Sequence, residues 1–431
     1  LHKPVEVINV FIWGQHVGAL AHSPQIGYYV FAYTPSFVKT GIQLSPIHMP
    51  LSSDPYVFAY LPELTYKRLP AMIADSLPDK FGNDLIDSYM ESHGISLSQI
   101  TTLDRLAYMS KRAMGALEFK PTRGGTPGIS HTAIDIAKLI ETARKAIHGK
   151  LSDHDTTAVA LKQIIQIGTS AGGARAKAVV AFNPVTKEIR AGQFDVEDGF
   201  EHWLLKFDGL GLDKGLGKTE HHGRIEYSYY QMAEEAGIKM SPCRLLEENG
   251  RAHFMTKRFD RTGNQKHHVQ TLCAMAHMDF KQMNTYDYSQ VFTLLDDLGL
   301  GYAAKEEVFR RMCFNVMSAN CDDHTKNMAF ILKQGETWQL APAYDVTFAF
   351  DLSSRWTYQH FMSVSGIFKN INSDHLLAVA QRFAIGTGPQ VLNQVRDAVA
   401  LWQEIARGNG VPETEILEVS RHHRLLYCPP G

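Results

Sequence analysis

The densest chemistry in this sequence lies in one short stretch, Asn320-Cys-Asp-Asp-His-Thr-Lys-Asn327. Two carboxylates, an imidazole, an ammonium and two amides share it. A carboxylate or an imidazole can take a proton from a hydroxyl or a water, and carboxylate and amide oxygens are the hard donors that Mg²⁺ accepts. Taken alone, Asp322, Asp323 and His324 fit a two-metal hydrolytic centre as readily as a general base with supporting neighbours. The stretch follows an apolar-periodic run, Val308–Met317, and precedes the strand-like Met328–Lys333. A helix end that feeds a polar loop, which then enters a buried strand, is held rigidly from both sides and is a common place for chemistry.

More distant residues discriminate between these readings. Asp322 and Asn327 have the spacing of the protein-kinase catalytic loop, Asp-x-x-x-x-Asn, in which the Asp receives the proton of the attacking hydroxyl and the Asn oxygen binds Mg²⁺. Leu340-Ala-Pro-Ala-Tyr-Asp345 puts Asp345 where the second metal ligand, the Asp of Asp-Phe-Gly, would stand. Upstream, Lys206 lies at the end of Trp203-Leu-Leu-Lys, on a strand expected to be buried, where an unpaired ammonium is costly. Either it snorkels to solvent at the strand end, or it faces an anion, with Glu226 in the first turn of the following helix as its carboxylate partner. Strand lysine, helix glutamate, catalytic Asp, Asn and late Asp thus occur in kinase order. Gly168-Thr-Ser-Ala-Gly172 matches Gly-x-Ser-x-Gly, but a helix-like run precedes it and a strand follows, the reverse of a nucleophile elbow. Walker A also fails, because Ala174 follows Gly173. What survives is a small-residue loop with Lys177 just beyond it, able to bring backbone N–H groups to phosphates, or else a plain structural turn. No Gly-x-Gly-x-x-Gly precedes Lys206, and neither Asp-Phe-Gly nor Ala-Pro-Glu follows the loop.

The elements that must position these residues read as a β-rich part followed by a helical part. Residues 5–60 are mostly β, with Gly14-Gln15 as a tight turn and Tyr28–Tyr33 as an aromatic strand. A helix is expected after Ser76 and Pro78, with Phe81, Leu85, Ile86 and Tyr89 on one face and Gly94 as its stop. Asp75–Asn83 is either motif-like or simply a capped helix start. Another helical run covers Ile100–Met109, and Met114–Phe119 is a short strand candidate. Helical spacing returns at Ile136–Ile147, and Ala158–Ile167 is a further apolar run. Strands are expected at Ala178–Phe182, Ile189–Phe194, His202–Phe207, Met240–Leu246 and His253–Phe259, the last two joined by Asn249-Gly250. A helix is expected from about Arg224 to Ala236. From Tyr286 onward helical periods dominate. Thr122–Gly128 and Gly209–Gly217 read as linkers or loops.

Composition sets the frame. A chain of 431 residues favours two or three lobes, and 44% hydrophobic with 20% charged residues is ordinary for a globular protein. Lys+Arg of 43 against Asp+Glu of 45 gives net charge −2, so bulk electrostatics offer no reason to bind nucleic acid or an anionic membrane. Five cysteines without a Cys-x-x-Cys pair argue against a disulfide framework or a cysteine zinc site and fit a reducing compartment. The sequence opens on strand-like alternation rather than a signal segment, and no apolar run reaches spanning length, so a cytoplasmic protein is expected.

The motifs Asn320-x-Asp-Asp-His-x-Lys-Asn327, Leu340-x-Pro-Ala-Tyr-Asp345, Lys257-Arg-Phe-Asp-Arg261, Ser170-x-Gly-Gly-Ala-Arg-x-Lys177, Leu77-Pro-Asp79 and Met114-Gly-Ala-Leu-Glu-Phe119 together resemble the HipA family, serine/threonine kinases that are toxins of bacterial type II toxin–antitoxin systems. The resemblance covers most of the chain. It implies an α+β, protein-kinase-like two-lobe fold with an extra N-terminal α+β subdomain and a mainly helical C-terminal lobe. The parts would be 1–125, a β-rich lobe at 126–262 and the helical lobe at 263–431. By position, Asp322 would be the catalytic base and His324 its loop-placing neighbour, while Asn327 and Asp345 would bind Mg²⁺. Lys206, with Glu226, would serve the ATP phosphates. Ser170, Gly172, Gly173 and Lys177 would form the Gly-rich nucleotide loop, and Lys257–Phe259 the hinge that presents backbone groups to adenine. Ser170 would be autophosphorylated, which places charge where ATP phosphates should sit. The resemblance further implies ATP and Mg as cofactors, a protein substrate such as an aminoacyl-tRNA synthetase, growth arrest and persistence, and a HipB-like helix-turn-helix antitoxin through which DNA is met. The competing readings are a metal-dependent phosphohydrolase, which gives Lys206 and the Gly-rich loop no task, and a catalytically silent kinase-fold binding module.

Overall fold

Val7–Ile12 (β1) buries every second residue, so that Ile8, Val10 and Ile12 face inward, as expected for a strand with one side on a core. It turns at once into Gln15–Ser23 (β2), with Ile12 paired to Gln15. The two turn residues are Trp13 and Gly14, one position earlier than expected, and both have positive φ, the geometry that matches strand twist in a two-residue hairpin. Tyr28–Tyr33 (β3) and Glu118–Lys120 (β4) complete a sheet of order β3-β2-β1-β4.

The computed structural model describes the chain except residues 1–2, 79, 93, 122–176, 193–194, 209–220, 249 and 429–431. The expected linkers at 122–128 and 209–217, the helical runs at 136–147 and 158–167, and Ser170, Gly172 and Gly173 therefore lie outside the described residues. The fold is mixed α+β, with an N-terminal β-sheet subdomain and a largely helical C-terminal region. It divides into two compact units, one of residues 1–212, 255–270 and 331–337, the other of residues 213–254, 271–330 and 338–431.

The first unit holds the four-stranded sheet, the helices Lys80–Ser92 and Thr102–Met109, and the strands Lys177–Phe182 (β5), Ile189–Ala191 (β6) and Glu201–Lys206 (β7). The helix at 102–109 starts two residues later than expected because Thr101 caps it in a reciprocal box with Asp104. Asp104 also accepts the Val5 N–H at 3.1 Å, which ties the start of the chain to that helix. β5 lies between β6 and β7, antiparallel to both, and is buried along its whole length. Two sequence motifs meet in this unit. Asp260 receives the Arg258 guanidinium at 2.9 and 2.6 Å, Arg261 at 2.7 Å and the Gly115 N–H at 2.8 Å, and Arg261 in turn donates to the Gly115 carbonyl at 3.0 Å. Burial would raise the Asp260 pKa, but the two guanidiniums and the Gly115 N–H hold it well below the usual carboxylate range. This corrects the strand expected at Met114–Phe119. Gly115 has φ of 79° and a Cβ there would meet the Val269 nitrogen at 3.0 Å, so pairing with β1 covers only Glu118–Lys120.

The second unit is mainly helical. Its long helices are His222–Glu235, Tyr288–Asp297, Tyr302–Met317, Ser373–Arg382, Gly388–Ala400 and Glu413–Ser420. His222–Glu235 begins two residues before the expected start, so Glu226 falls in its second turn rather than its first. Tyr302–Met317 is buried along most of its length from Glu307 to Met317, with Glu307, Arg310 and Arg311 among the buried residues, which makes it the axis of this unit. No described helix is long and apolar enough to cross a membrane.

Candidate active site

The polar loop leaves the helix Tyr302–Met317 through Ser318 and Ala319, where Ala319 takes a left-handed φ of 55°. The turn is fixed by two bonds back to the helix, from the Asn320 N–H to the Asn315 carbonyl at 3.0 Å and from Asn320 Nδ2 to Asn315 Oδ1 at 2.9 Å. The Cys321 N–H donates to the Ala349 carbonyl at 3.0 Å. On the far side, buried Thr325 donates its hydroxyl to the Met278 carbonyl at 2.6 Å and accepts the Cys273 N–H on its own carbonyl at 3.0 Å.

Between these anchors the loop closes on itself. The Asn327 N–H donates to the His324 carbonyl and Asn327 Nδ2 donates to the Asp322 carbonyl, both at 2.8 Å. That use of the amide nitrogen leaves Asn327 Oδ1 as the acceptor available to a cation. Tyr344 donates its hydroxyl to the Lys326 carbonyl at 2.6 Å, which fixes the Tyr344-Asp345 step against the loop. Asp345 itself holds a positive φ of 56°, uncommon for a residue with a Cβ. As a result Asn327 and Asp345 line one pocket, together with Asp323, His324, Tyr288 and Arg311. Arg311 is buried, bonds Glu307 at 2.8 Å and donates to the Ala341 carbonyl at 2.9 Å, so the axial helix also positions the segment that leads to Asp345.

The two neighbouring carboxylates differ sharply. The side chain of Asp322 is 45% exposed and lies 3.8 Å from His324 Nε2, too far for a hydrogen bond. Asp323 is only 1% exposed. Its Oδ1 accepts the Phe361 N–H at 2.7 Å, and its Oδ2 accepts the Tyr288 hydroxyl at 2.9 Å and lies 3.3 Å from His360 Nδ1. Burial alone would lower the His360 pKa, but the Asp323 carboxylate outweighs it, with Cys321 adding to the effect, and the imidazole is pushed up to about 10. His324 sits among aromatic rings, its ring centre 5.6 Å from that of Phe280 and 6.1 Å from that of Phe361.

The remaining expected residues fall elsewhere. Lys177 and Lys206 belong to the first unit, where they stand directly opposite each other in the β5–β7 register, both buried. Lys257, at the end of the strand Arg251–Lys257, pairs with Glu201 at 2.6 Å. The Arg258 N–H continues the pairing onto the His202 carbonyl at 2.9 Å, just before Phe259. Glu226 is buried in the second unit. Sequence reasoning missed Tyr288, His360 and Arg311. The Glu307-to-Arg311 spacing is a helical i,i+4 pair that could have pointed to the last of these, whereas the first two carry no local signal.

Residues 169–407 match the family model of the HipA-like C-terminal domain, and residues 8–120 match that of the HipA N-terminal domain. No curated protein matches the chain. Among solved structures, one from the Shewanella oneidensis MR-1 toxin–antitoxin system, a complex of HipA, HipB and its operator DNA, is similar at 16% identity and a TM-score of 0.66, covering 96% of this chain and 94% of that one. At that identity the likeness is one of fold. The Helicobacter pylori proinflammatory kinase CtkA aligns at 13% identity over 53% of this chain and 94% of its own, with a TM-score of 0.32, too low to bear on the argument. With both family domains in order and more than half of its length matched by one of them, the chain belongs to the HipA family of toxin kinases.

Proposed function

We propose that this chain is an ATP- and Mg-dependent serine/threonine protein kinase of the HipA toxin type, with Asp322 as its base. The observation that carries the reading is the closed loop, in which Asn327 braces the Asp322 backbone and shares a pocket with Asp345. Two hard oxygen donors of this kind, with phosphate oxygens and water to complete the shell, fit Mg²⁺, which rarely takes an all-protein cage. Asn327 and Asp345 would hold it, and it would supply charge neutralisation at the phosphates. Asp322 accepts the proton of a serine or threonine hydroxyl as that oxygen bonds to the γ-phosphorus and the bond to the bridging oxygen breaks, leaving ADP and a phosphoprotein. Lys177 and Lys206 project from opposed positions on neighbouring strands, where two ammoniums on one face favour a polyanion such as the ATP phosphates. The hinge role of Lys257–Phe259 and the part of Glu226 belong to the same proposal, as does the working division at 1–125, 126–262 and 263–431. The phosphohydrolase reading is disfavoured because Asp323, the carboxylate it needs as a metal ligand, already accepts from Tyr288 and the Phe361 N–H.

Autophosphorylation at Ser170, a translation factor such as an aminoacyl-tRNA synthetase as substrate, and a HipB-like antitoxin that carries the contact with DNA complete the proposal. The test is incubation of the purified chain with labelled ATP and Mg²⁺, followed by mapping of the label. Phosphate on Ser170 is expected. If ATP binds and neither Ser170 nor any added protein is labelled, the kinase reading fails.

A further inference from the structure

We infer that Asp323, Tyr288 and His360 form a buried latch that fastens the catalytic loop to the segment after Asp345, and that all three are positioning residues for Asp322. The inference rests on the kinase reading for its functional meaning and on geometry for the latch itself. Asp322 is flanked by Cys321 and Asp323, and the His360 ring touches both flanking residues. Its Nδ1 lies 3.3 Å from Asp323 Oδ2, and its Nε2 lies 3.8 Å from Cys321 Sγ. Only the imidazolium carries a proton on each nitrogen, so only that form can donate to carboxylate and sulfur together. The raised imidazole pKa agrees with this.

The latch extends in two directions. From Tyr288 it runs back into the helix and loop, because Asn315 Nδ2 donates to the Tyr288 oxygen at 3.1 Å and Asn320 Nδ2 donates to Asn315 at 2.9 Å. From Asp323 it reaches the later segment, whose residues are pinned at Ala349 by the Cys321 N–H, at Phe361 by Asp323, and at Ser363 by the Tyr288 N–H. The chain lacks Asp-Phe-Gly and Ala-Pro-Glu. The latch supplies, through one buried carboxylate, a bond between the residue that follows the base and the segment those motifs would otherwise anchor. It also explains why the second Asp of the motif is an Asp. Asn at that position keeps an acceptor but loses the charge opposite the imidazolium.

The experiment compares the full chain with Tyr288→Phe, His360→Gln and Asp323→Asn. Tyr288→Phe removes one hydroxyl and leaves the charge pair in place, so it decides the outcome if Asp323→Asn fails to fold. Two readouts are taken: label transfer from ATP-Mg with ATP affinity measured alongside, and hydrogen–deuterium exchange of the amides at 320–327. Each folded variant is expected to lose transfer by about 10–100-fold with ATP affinity within about twofold, since misplacement by an ångström costs rate rather than binding. Exchange at 320–327 is expected to rise in each. Unchanged exchange in Tyr288→Phe and His360→Gln overturns the latch. Raised exchange with unchanged transfer overturns the positioning role. A wild-type chain that transfers nothing while its variants show raised exchange leaves the latch standing and removes the kinase reading.

Discussion

Asp322 and Asp323 are adjacent and chemically identical, yet one is nearly half exposed and the other enclosed. The sequence separates them only through the interval to Asn327, a relation of five positions that a single loop turn can express. Tyr288 and His360 lie 35 and 37 positions from Asp323 with no period connecting them, so the partners that make Asp323 structural are invisible until the chain is folded. For Asp322 the expected outcome of substitution by Asn is a loss of label transfer of roughly 10²–10⁴-fold with ATP affinity little changed, the signature of a lost general base. Equal transfer in the variant would remove Asp322 from that role. For His360 the prediction concerns pH. Its folded pKa, about 10, stands above the ordinary value of 6.5, so its contribution to stability is fully present below pH 6.5. It declines as pH rises through that window and is gone above about 10. Melting temperatures of the wild type and His360→Gln should therefore converge between pH 6.5 and 10; a gap that stays constant across that range contradicts an imidazolium at this position.

Among the elements, those governed by local periodicity were the legible ones. The apolar run around Val7–Phe11, the buried run of β5 and the apolar-periodic Val308–Met317 all announce themselves in composition and spacing. The buried face of β1 (Ile8, Val10 and Ile12, with Val7 exposed) and the polar first turns of the helix from Tyr302 do not. The Met114–Phe119 stretch did not behave as a strand throughout, because its glycine is committed to Asp260, a residue far along the chain. A similar distant commitment governs the helix Tyr302–Met317. Arg311 joins Glu307 within the helix to the Ala341 carbonyl, and Glu307 also accepts the Lys239 N–H at 3.1 Å, so three segments depend on one buried ion pair. Arg311→Met leaves the Glu307 carboxylate buried without its cation, and breaking such a pair costs about 3–5 kcal/mol. Urea unfolding should report a loss of that size. A loss below about 1 kcal/mol would mean that Glu307 finds water or neutralises at little cost.

At the scale of the whole molecule, the family boundary between residues 8–120 and 169–407 suggests a detachable N-terminal module, but the first compact unit includes 255–270 as well as the N-terminal residues. The connections are polar, and three of them are buried. Asp260 and Arg261 both bond Gly115, and Lys266 donates to Glu118 at 2.8 Å and to the Lys111 carbonyl at 3.0 Å. The indole N–H of Trp13 reaches the Lys266 carbonyl at 2.8 Å, and His268 bonds the Leu44 carbonyl at 3.1 Å. A chain that begins at residue 121 exposes all of these groups at once and strips the cover from the Arg258–Asp260–Arg261 cluster. Each hydrogen bond lost is worth about 0.5–1.5 kcal/mol, and about 1.5–3 kcal/mol where a charged group takes part, so losing the set removes a large part of the typical stability of a domain, about 5–15 kcal/mol. The truncated chain is therefore expected to lack a cooperative melt and to be cut rapidly by protease at 255–270. A cooperative transition within a few degrees of the full chain would show instead that the N-terminal part is an independent module and that the Asp260 cluster satisfies itself.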